Sequence, residues 1–397
     1  MLSKRIQKLK VSPNRKYNSL AADAEKRGIK VNRLNVGQPD LEAPDLFFEA
    51  IHNYPERKLP YANSQGIRDM IQAQIRYYRE RNLHYESDQI FISAGAAEGL
   101  IFSLLTVCDP GDGVLLIEPF YTNYELITDL IGIEIHPVTT SIANNYRVPS
   151  KEVMEKALKP NTRAILLSNP GNPTGRVYSR EEMQTIHDLV VDNDLILIAD
   201  EVYREFNFSG RDFISFADYP DLDQKLILLD SASKKYAACG ARIGSLATKN
   251  PELAASILKL CQMRLSAPIL EQVGVAALAE LDENYFNPVT ELYQRRKDVL
   301  LSSLKELENI RFSQPEGAFY TLVQLPLDNA EDFVIWLLKE FQYEGETILP
   351  TPAESFYSTH GLGRNEVRIS YCIDEEILKK SITILAHALE EYPGTWK

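Results

Sequence analysis

The sequence predicts an α/β protein: a large domain whose mainly parallel sheet lies between helices, with a smaller α+β domain beside it. Three observations carry this. From Ile90 to Thr248 short apolar runs alternate with helical stretches across turns, the pattern of a sheet covered on both faces. After about Asp282 the alternation stops, and a long charged helical stretch, Asn284 to Leu307, leads away. The residues of chemical interest in the first part, Gly95, Tyr121, Asn172, Asp200 and Lys234, follow the ends of apolar runs, where ligands gather in open α/β sheets. The expected division is an N-terminal arm joining the small domain over 1–45, a large domain over 46–285 and a small C-terminal domain over 286–397.

Taken in order, Tyr17 to Arg27 reads as a helix ended by Gly28, and Val31 to Val36 as a short strand before the turn Gly37-Gln38-Pro39-Asp40. Asp45 is expected to cap a helix reaching Asn53, and the polar loop Leu59 to Gly66, holding Tyr61, precedes a helix over Ile67 to Arg81. Strands are expected at Ile90–Ile92, 114–117, 133–138, 164–167, 195–199, 225–229 and 243–248, with helices opening at Gly95-Ala96-Ala97, near Tyr124 and at Arg180. Beyond the long helix come Phe319 to Val323, a helix near Asp332 to Phe341, Glu366 to Tyr371, and an amphipathic helix over Glu375 to Glu391.

The chain has 397 residues and a net charge of −13, which disfavours a nucleic-acid backbone as the main ligand. Four scattered cysteines show neither a disulfide framework nor zinc spacing, and no His-x-x-x-His pair occurs, so a reducing, cytoplasmic setting without a metal is expected. No apolar run approaches membrane-spanning length. The basic N-terminus reads as an arm packed on the body rather than a cleaved presequence.

The most informative stretch is Asp230 to Gly244. An apolar run delivers two hydroxyls, Ser231 and Ser233, beside Lys234 and Lys235, and Arg242 follows between Gly240 and Gly244. A lysine at the end of a buried strand suits a carbonyl cofactor, and serine with arginine suits its phosphate. No Gly-x-x-x-x-Gly-Lys-Ser/Thr loop is present, which excludes a nucleotide P-loop.

Five stretches together resemble class I/II aminotransferases of the aspartate aminotransferase fold. They are Ser168 to Gly175 (SNPGNPTG), Ala199 to Tyr203 (ADEVY), Ser231 to Gly244 (SASK with GARIG), Pro315 to Tyr320 (PEGAFY) and Val367 to Ser370 (VRIS). The resemblance runs from about residue 12 to the end and implies pyridoxal 5'-phosphate as cofactor. It places the Schiff base on Lys234, eight residues before Arg242, rather than on Lys235. It implies that Asp200 pairs with the pyridine nitrogen and keeps it protonated, an electron sink. Asn172 and Tyr203 resemble the donors to the phenolic oxygen, and Tyr121 the ring stacked on the cofactor. Gly95, Ala96 and Ala97 at a helix start, with Ser231, Ser233 and Arg242, resemble the phosphate cup. Tyr61 is implied to reach the phosphate of a neighbouring subunit, so a homodimer with shared sites is expected. Arg368 resembles the clamp on the substrate α-carboxylate, assisted by Gly37 and Asn172. Phe120 and Tyr124 read as core.

The expected reaction moves an amino group from an L-amino acid to a 2-oxo acid, aspartate-type or of broad specificity, with 2-oxoglutarate as one partner and aspartate first for the other, ahead of aromatic or aliphatic amino acids. Related bacterial aspartate enzymes often carry a lysine where this chain has Ala97. Arg15, reached by gap-free spacing back from Gly37, is expected to supply the missing cation; a solvated arm residue is the competing reading. The alternatives weighed are a β-lyase acting on cystathionine-like substrates and a non-catalytic cofactor-binding regulatory module.

Overall fold

The computed structural model describes residues 2–13, 15–282 and 284–396. In chain order the strands are β1 Lys30–Arg33, β2 Ile90–Ser93, β3 Gly113–Glu118, β4 Glu134–Thr139, β5 Thr162–Ser168, β6 Ile196–Asp200, β7 Leu226–Ser231, β8 Gly244–Ala247, β9 Arg311–Phe312, β10 Tyr320–Gln324, β11 Glu346–Leu349, β12 Thr351–Pro352 and β13 Glu366–Ser370.

A seven-stranded sheet, ordered β2-β8-β7-β6-β5-β3-β4, is the main element. The pairs β3–β4, β3–β5, β5–β6 and β6–β7 are parallel, and β8 runs antiparallel between β7 and β2. β3, β6 and β7 are apolar on both faces because helices cover both sides. One face packs on Met183, Ile186 and Val190 of the helix Arg180–Asp192, and the other on Leu100 and Leu104 of the helix Ala96–Val107. β5, β6 and β7 run in register, with Ser168 opposite Asp200 and Asp200 opposite Leu229. Their carboxyl ends therefore share one edge, which carries Asp200 at the end of β6, Asn172 in the loop after β5 and Lys234 just after β7.

A second sheet, β12-β13-β10-β9, is antiparallel, and β1 pairs in parallel with β11. A third core joins these strands to Tyr17, Ala21, Leu34, the helix Phe286–Leu304 and the last helix Glu375–Glu391. Residues from both chain ends thus build the smaller α+β portion.

Several expected boundaries shift. Asp45 is the first residue of its helix rather than its cap, because Pro44 occupies the cap with extended backbone. The first strand stops at Arg33, and Leu34 to Val36 form a loop under the site. Two helices not expected from the sequence, Pro251–Arg264 and Ile269–Ala277, lie between the two portions in sequence. The first buries only Ile257 and Cys261, a stripe too narrow to read as a periodic pattern.

Candidate active site

Lys234 sits in a four-residue helix, Ala232–Lys235, directly after β7. Its Nζ is half-buried, donates to the Gly37 carbonyl at 2.6 Å and lies 4.0 Å from Cys239 Sγ. Lys235 faces the other way. Its ammonium is buried, pairs with Asp230 and lies 3.3 Å above the Tyr77 ring. The two adjacent lysines therefore differ: only Lys234 opens toward the sheet edge.

Asp200 closes β6 with its side chain buried. Tyr124 Oη donates to Oδ2 at 2.9 Å, and the Val202 N–H donates to Oδ1 at 3.3 Å. Burial outweighs these bonds and the nearby Lys234 charge, and pushes the carboxyl up to about 6. Glu201 points away, into a buried cluster with Arg204 and Ser215.

Tyr203 and Tyr320 bring their hydroxyls together at 2.8 Å, from the segment after β6 and from the start of β10. Arg368, on β13, is 2% exposed; it donates to Asn172 Oδ1 at 3.0 Å and to the Asn35 carbonyl at 2.7 Å. Its guanidinium lies 4.4 Å from the Tyr320 ring centre and 5.1 Å from that of Phe356. Gly37 fits only as glycine, since a Cβ there would lie 1.8 Å from Tyr320 Oη.

On the other side of Lys234, Gly95 caps the helix Ala96–Val107 with φ of 81°, a conformation that favours glycine. A Cβ there would meet Arg242 Nη2 at 2.2 Å. Arg242, itself in the left-handed region, is exposed and donates to the carbonyls of Cys239 and Ala94 at 3.1 and 3.2 Å. Ser231 and Ser233 join hydroxyls at 2.9 Å. Arg242 thus lies against the helix start at Gly95, and Gly244, the strand partner of Ser231, lies against the Ala96 N–H, a helix end that carries partial positive charge.

A family model described as aminotransferase class I and II matches residues 29–385. The chain belongs to this family. It is a pyridoxal-phosphate-dependent aminotransferase. A probable aspartate/prephenate aminotransferase of Aquifex aeolicus is 29% identical to it, covering 98% of this chain and 99% of the relative. A (5-formylfuran-3-yl)methyl phosphate transaminase of Methanocaldococcus jannaschii is 31% identical over 96% of this chain and 98% of its own. Among solved structures, a single mutant of Thermus thermophilus aspartate aminotransferase superposes with a TM-score of 0.87 at 26% identity, covering 98% of this chain and 99% of the other.

The aminotransferase's N-terminal segment is tied to a helix of each portion. Lys10 pairs with Glu125 at 3.0 Å on the helix Asn123–Ile131, and Lys16 pairs with Glu331 on the helix Ala330–Lys339. Arg15 lies exposed between these anchors. Burial, then the Asp200 carboxylate, lifts the Tyr121 phenol above its ordinary value, while Arg368, Arg242 and Arg15 pull it down. Tyr121 therefore stands within electrostatic reach of all four groups. Tyr61 does not join the site of its own chain: it is 79% exposed on its loop.

Two site residues escaped the sequence reading. Tyr124 is buried as expected of core, yet its hydroxyl serves Asp200; its signal was the spacing of three from Tyr121. Tyr320 ends the PEGAFY stretch but received no role there, because its partner Tyr203 is far away in sequence.

Proposed function

We propose that Lys234 anchors pyridoxal 5'-phosphate and that the surrounding residues divide the remaining work. The observation that carries this reading is the pairing of one half-buried amine, Lys234, with one buried carboxylate, Asp200, whose proton affinity burial has raised. The donor set fits the cofactor. Asp200 has two hydrogen-bond donors and wants a cationic partner, which a protonated pyridine nitrogen provides. Arg242, Ser231, Ser233 and the N–H groups of Ala96 and Ala97, opened by Gly95, fit a phosphate. Asn172 and Tyr203 supply donors to a phenolic oxygen, and Tyr121 supplies an aromatic face.

When bound, the cofactor supplies an electron sink for the charge left on substrate Cα. The chain's own groups do the rest. Arg368, held by Asn172 and the Asn35 carbonyl, is pre-oriented to clamp the substrate α-carboxylate, with Gly37 beside it. Lys234 Nζ, set free by the incoming amine, carries a proton to and from Cα. Arg15 reads an anionic far end. The strap through Lys10 and Lys16, together with the electrostatic reach of Arg15 to Tyr121, favours this over a solvated arm residue.

The substrate pair we propose is aspartate with 2-oxoglutarate. The Aquifex relative's name contains aspartate and prephenate, and the Methanocaldococcus relative's substrate name contains a phosphate; an anionic group beyond the reacting carbon is what Arg15 would serve. We further propose a cytoplasmic homodimer in which Tyr61, exposed on its own chain, completes the partner's phosphate cup. No helix among the described residues is long and apolar enough to cross a membrane.

A half-reaction screen tests the reading. Cofactor-loaded protein is mixed with single amino acids, and the visible absorption of the lysine-bound cofactor is followed as it converts to the amine form. Aspartate and glutamate are expected to convert it fastest, and Arg15→Ala to slow both by roughly 10- to 100-fold, as for loss of a charged hydrogen bond, with alanine unaffected. Unchanged aspartate and glutamate rates in Arg15→Ala would sink the assignment of Arg15. Release of pyruvate and ammonia without an acceptor would point to lyase chemistry instead.

A further inference from the structure

We propose that Tyr320 is a positioning residue for the transamination site: its hydroxyl donates to Tyr203, so that the Tyr203 O–H is turned toward the cofactor's phenolic oxygen and strengthened as a donor. This rests on the role proposed above for Tyr203.

The two hydroxyls are 2.8 Å apart and either can donate. Geometry sets the direction. The Arg368 guanidinium lies 4.4 Å from the Tyr320 ring centre, and a cation at that distance makes the phenol a better donor. Among the described residues no cation stands over the Tyr203 ring. Burial raises both phenols; Arg368 offsets part of this for Tyr320, which Cys372 and Tyr121 also raise, whereas Tyr320, Tyr121 and Asp200 raise Tyr203 further. Tyr320 therefore gives its proton to the pair, and the Tyr203 proton is left for another acceptor. In a chain of two hydroxyls the first bond polarises the second.

The Tyr320 Oη is closely packed: it fills the space that a Cβ on Gly37 would need, 1.8 Å away. The Tyr203 ring is held independently, edge-on to Phe319 at 5.2 Å and to Tyr320 at 5.7 Å. Removing the Tyr320 hydroxyl alone leaves that packing intact, so its loss reports on the hydrogen bond rather than on ring position. The contact also joins the loop after β6 of the large sheet to β10 of the small one, so the donor strength of Tyr203 depends on both portions being in place.

The test is a pH titration of the visible absorption of four cofactor-loaded proteins: wild type, Tyr320→Phe, Tyr203→Phe and the double variant. A donor to the phenolic oxygen stabilises its anion and lowers the midpoint. Tyr203→Phe is expected to raise the midpoint. Tyr320→Phe is expected to raise it less, by about half a pH unit or a roughly threefold change in proton affinity. The double variant is expected to match Tyr203→Phe alone, because Tyr320 acts only through Tyr203. Melting of the cofactor-free variants controls for general loss of folding, and Tyr320→Phe is expected to melt with the wild type. An unmoved midpoint in Tyr320→Phe, with Tyr203→Phe moved, overturns the proposal alone, as does full additivity in the double variant. An unmoved midpoint in Tyr203→Phe overturns both the proposal and the role of Tyr203 on which it rests.

Discussion

At the scale of single residues, chemistry and stability pull apart at Asp200. Its carboxyl is pushed up to about 6 by burial, from an ordinary value near 4. The folded protein holds that proton more tightly than the unfolded chain does. Stability of the cofactor-free protein therefore falls as pH rises from about 4 to about 6, by on the order of 3 kcal/mol from this group. Asp200→Asn keeps an acceptor for Tyr124 and removes the buried charge. We expect it to raise the melting temperature of the cofactor-free protein at pH 7 while slowing transamination by at least ~100-fold; an Asn variant that melts lower at pH 7 and equally at pH 4 would contradict the assignment. Positions set by strand pattern, such as Asp200 at the end of β6, Lys234 just after β7 and Arg368 on β13, were legible in the sequence. The hydrogen bonds of Tyr124 and Tyr320 were not, because they depend on how separate elements are packed together.

At the scale of elements, the short helix Ala232–Lys235 is too small to hold itself in place. Asp230 fastens it. Its carboxylate accepts from the Ser231 N–H at 2.7 Å, from Gln74 at 3.0 Å and from Lys235. Lys235 is thus an anchor, and fixing it inward leaves Lys234 turned outward. The resemblance implies a difference between the two lysines through the spacing to Arg242; the burial of the Lys235–Asp230 pair could not be read, since Gln74 and Tyr77, which pack against it, come from a distant helix. Breaking a buried ion pair from one side costs about 3–5 kcal/mol, and replacing both partners is far milder. Lys235→Met should accordingly lower the urea midpoint sharply, and adding Asp230→Asn should restore most of it. A Lys235→Met protein as stable as the wild type would contradict this. The alternating strands and helices were legible because β3, β6 and β7 are largely buried, mostly apolar runs; β9, β11 and β12 were not, since strands of two to four residues take their identity from pairing partners rather than from local pattern.

At the scale of the whole molecule, the parallel strands deliver Asn172, Asp200 and Lys234 to one edge, and the small sheet brings Arg368 and Tyr320 over it. The N-terminal segment is tied to the large portion through Lys10–Glu125 and to the small one through Lys16–Glu331. Tyr61 alone stands apart, and its place is a matter of assembly. If subunits share sites, mixing and refolding Lys234→Ala with Tyr61→Ala chains should regain about a quarter of wild-type activity, through the one intact site of each mixed dimer; no gain over the Tyr61→Ala protein alone would contradict shared sites. All of these relations assume that the cofactor is held by Lys234. The direct test is to reduce the cofactor-loaded protein with borohydride, digest it and locate the modified lysine by mass spectrometry. The account predicts the label on Lys234 and on no other residue; a label on Lys235, or none in either, would contradict it.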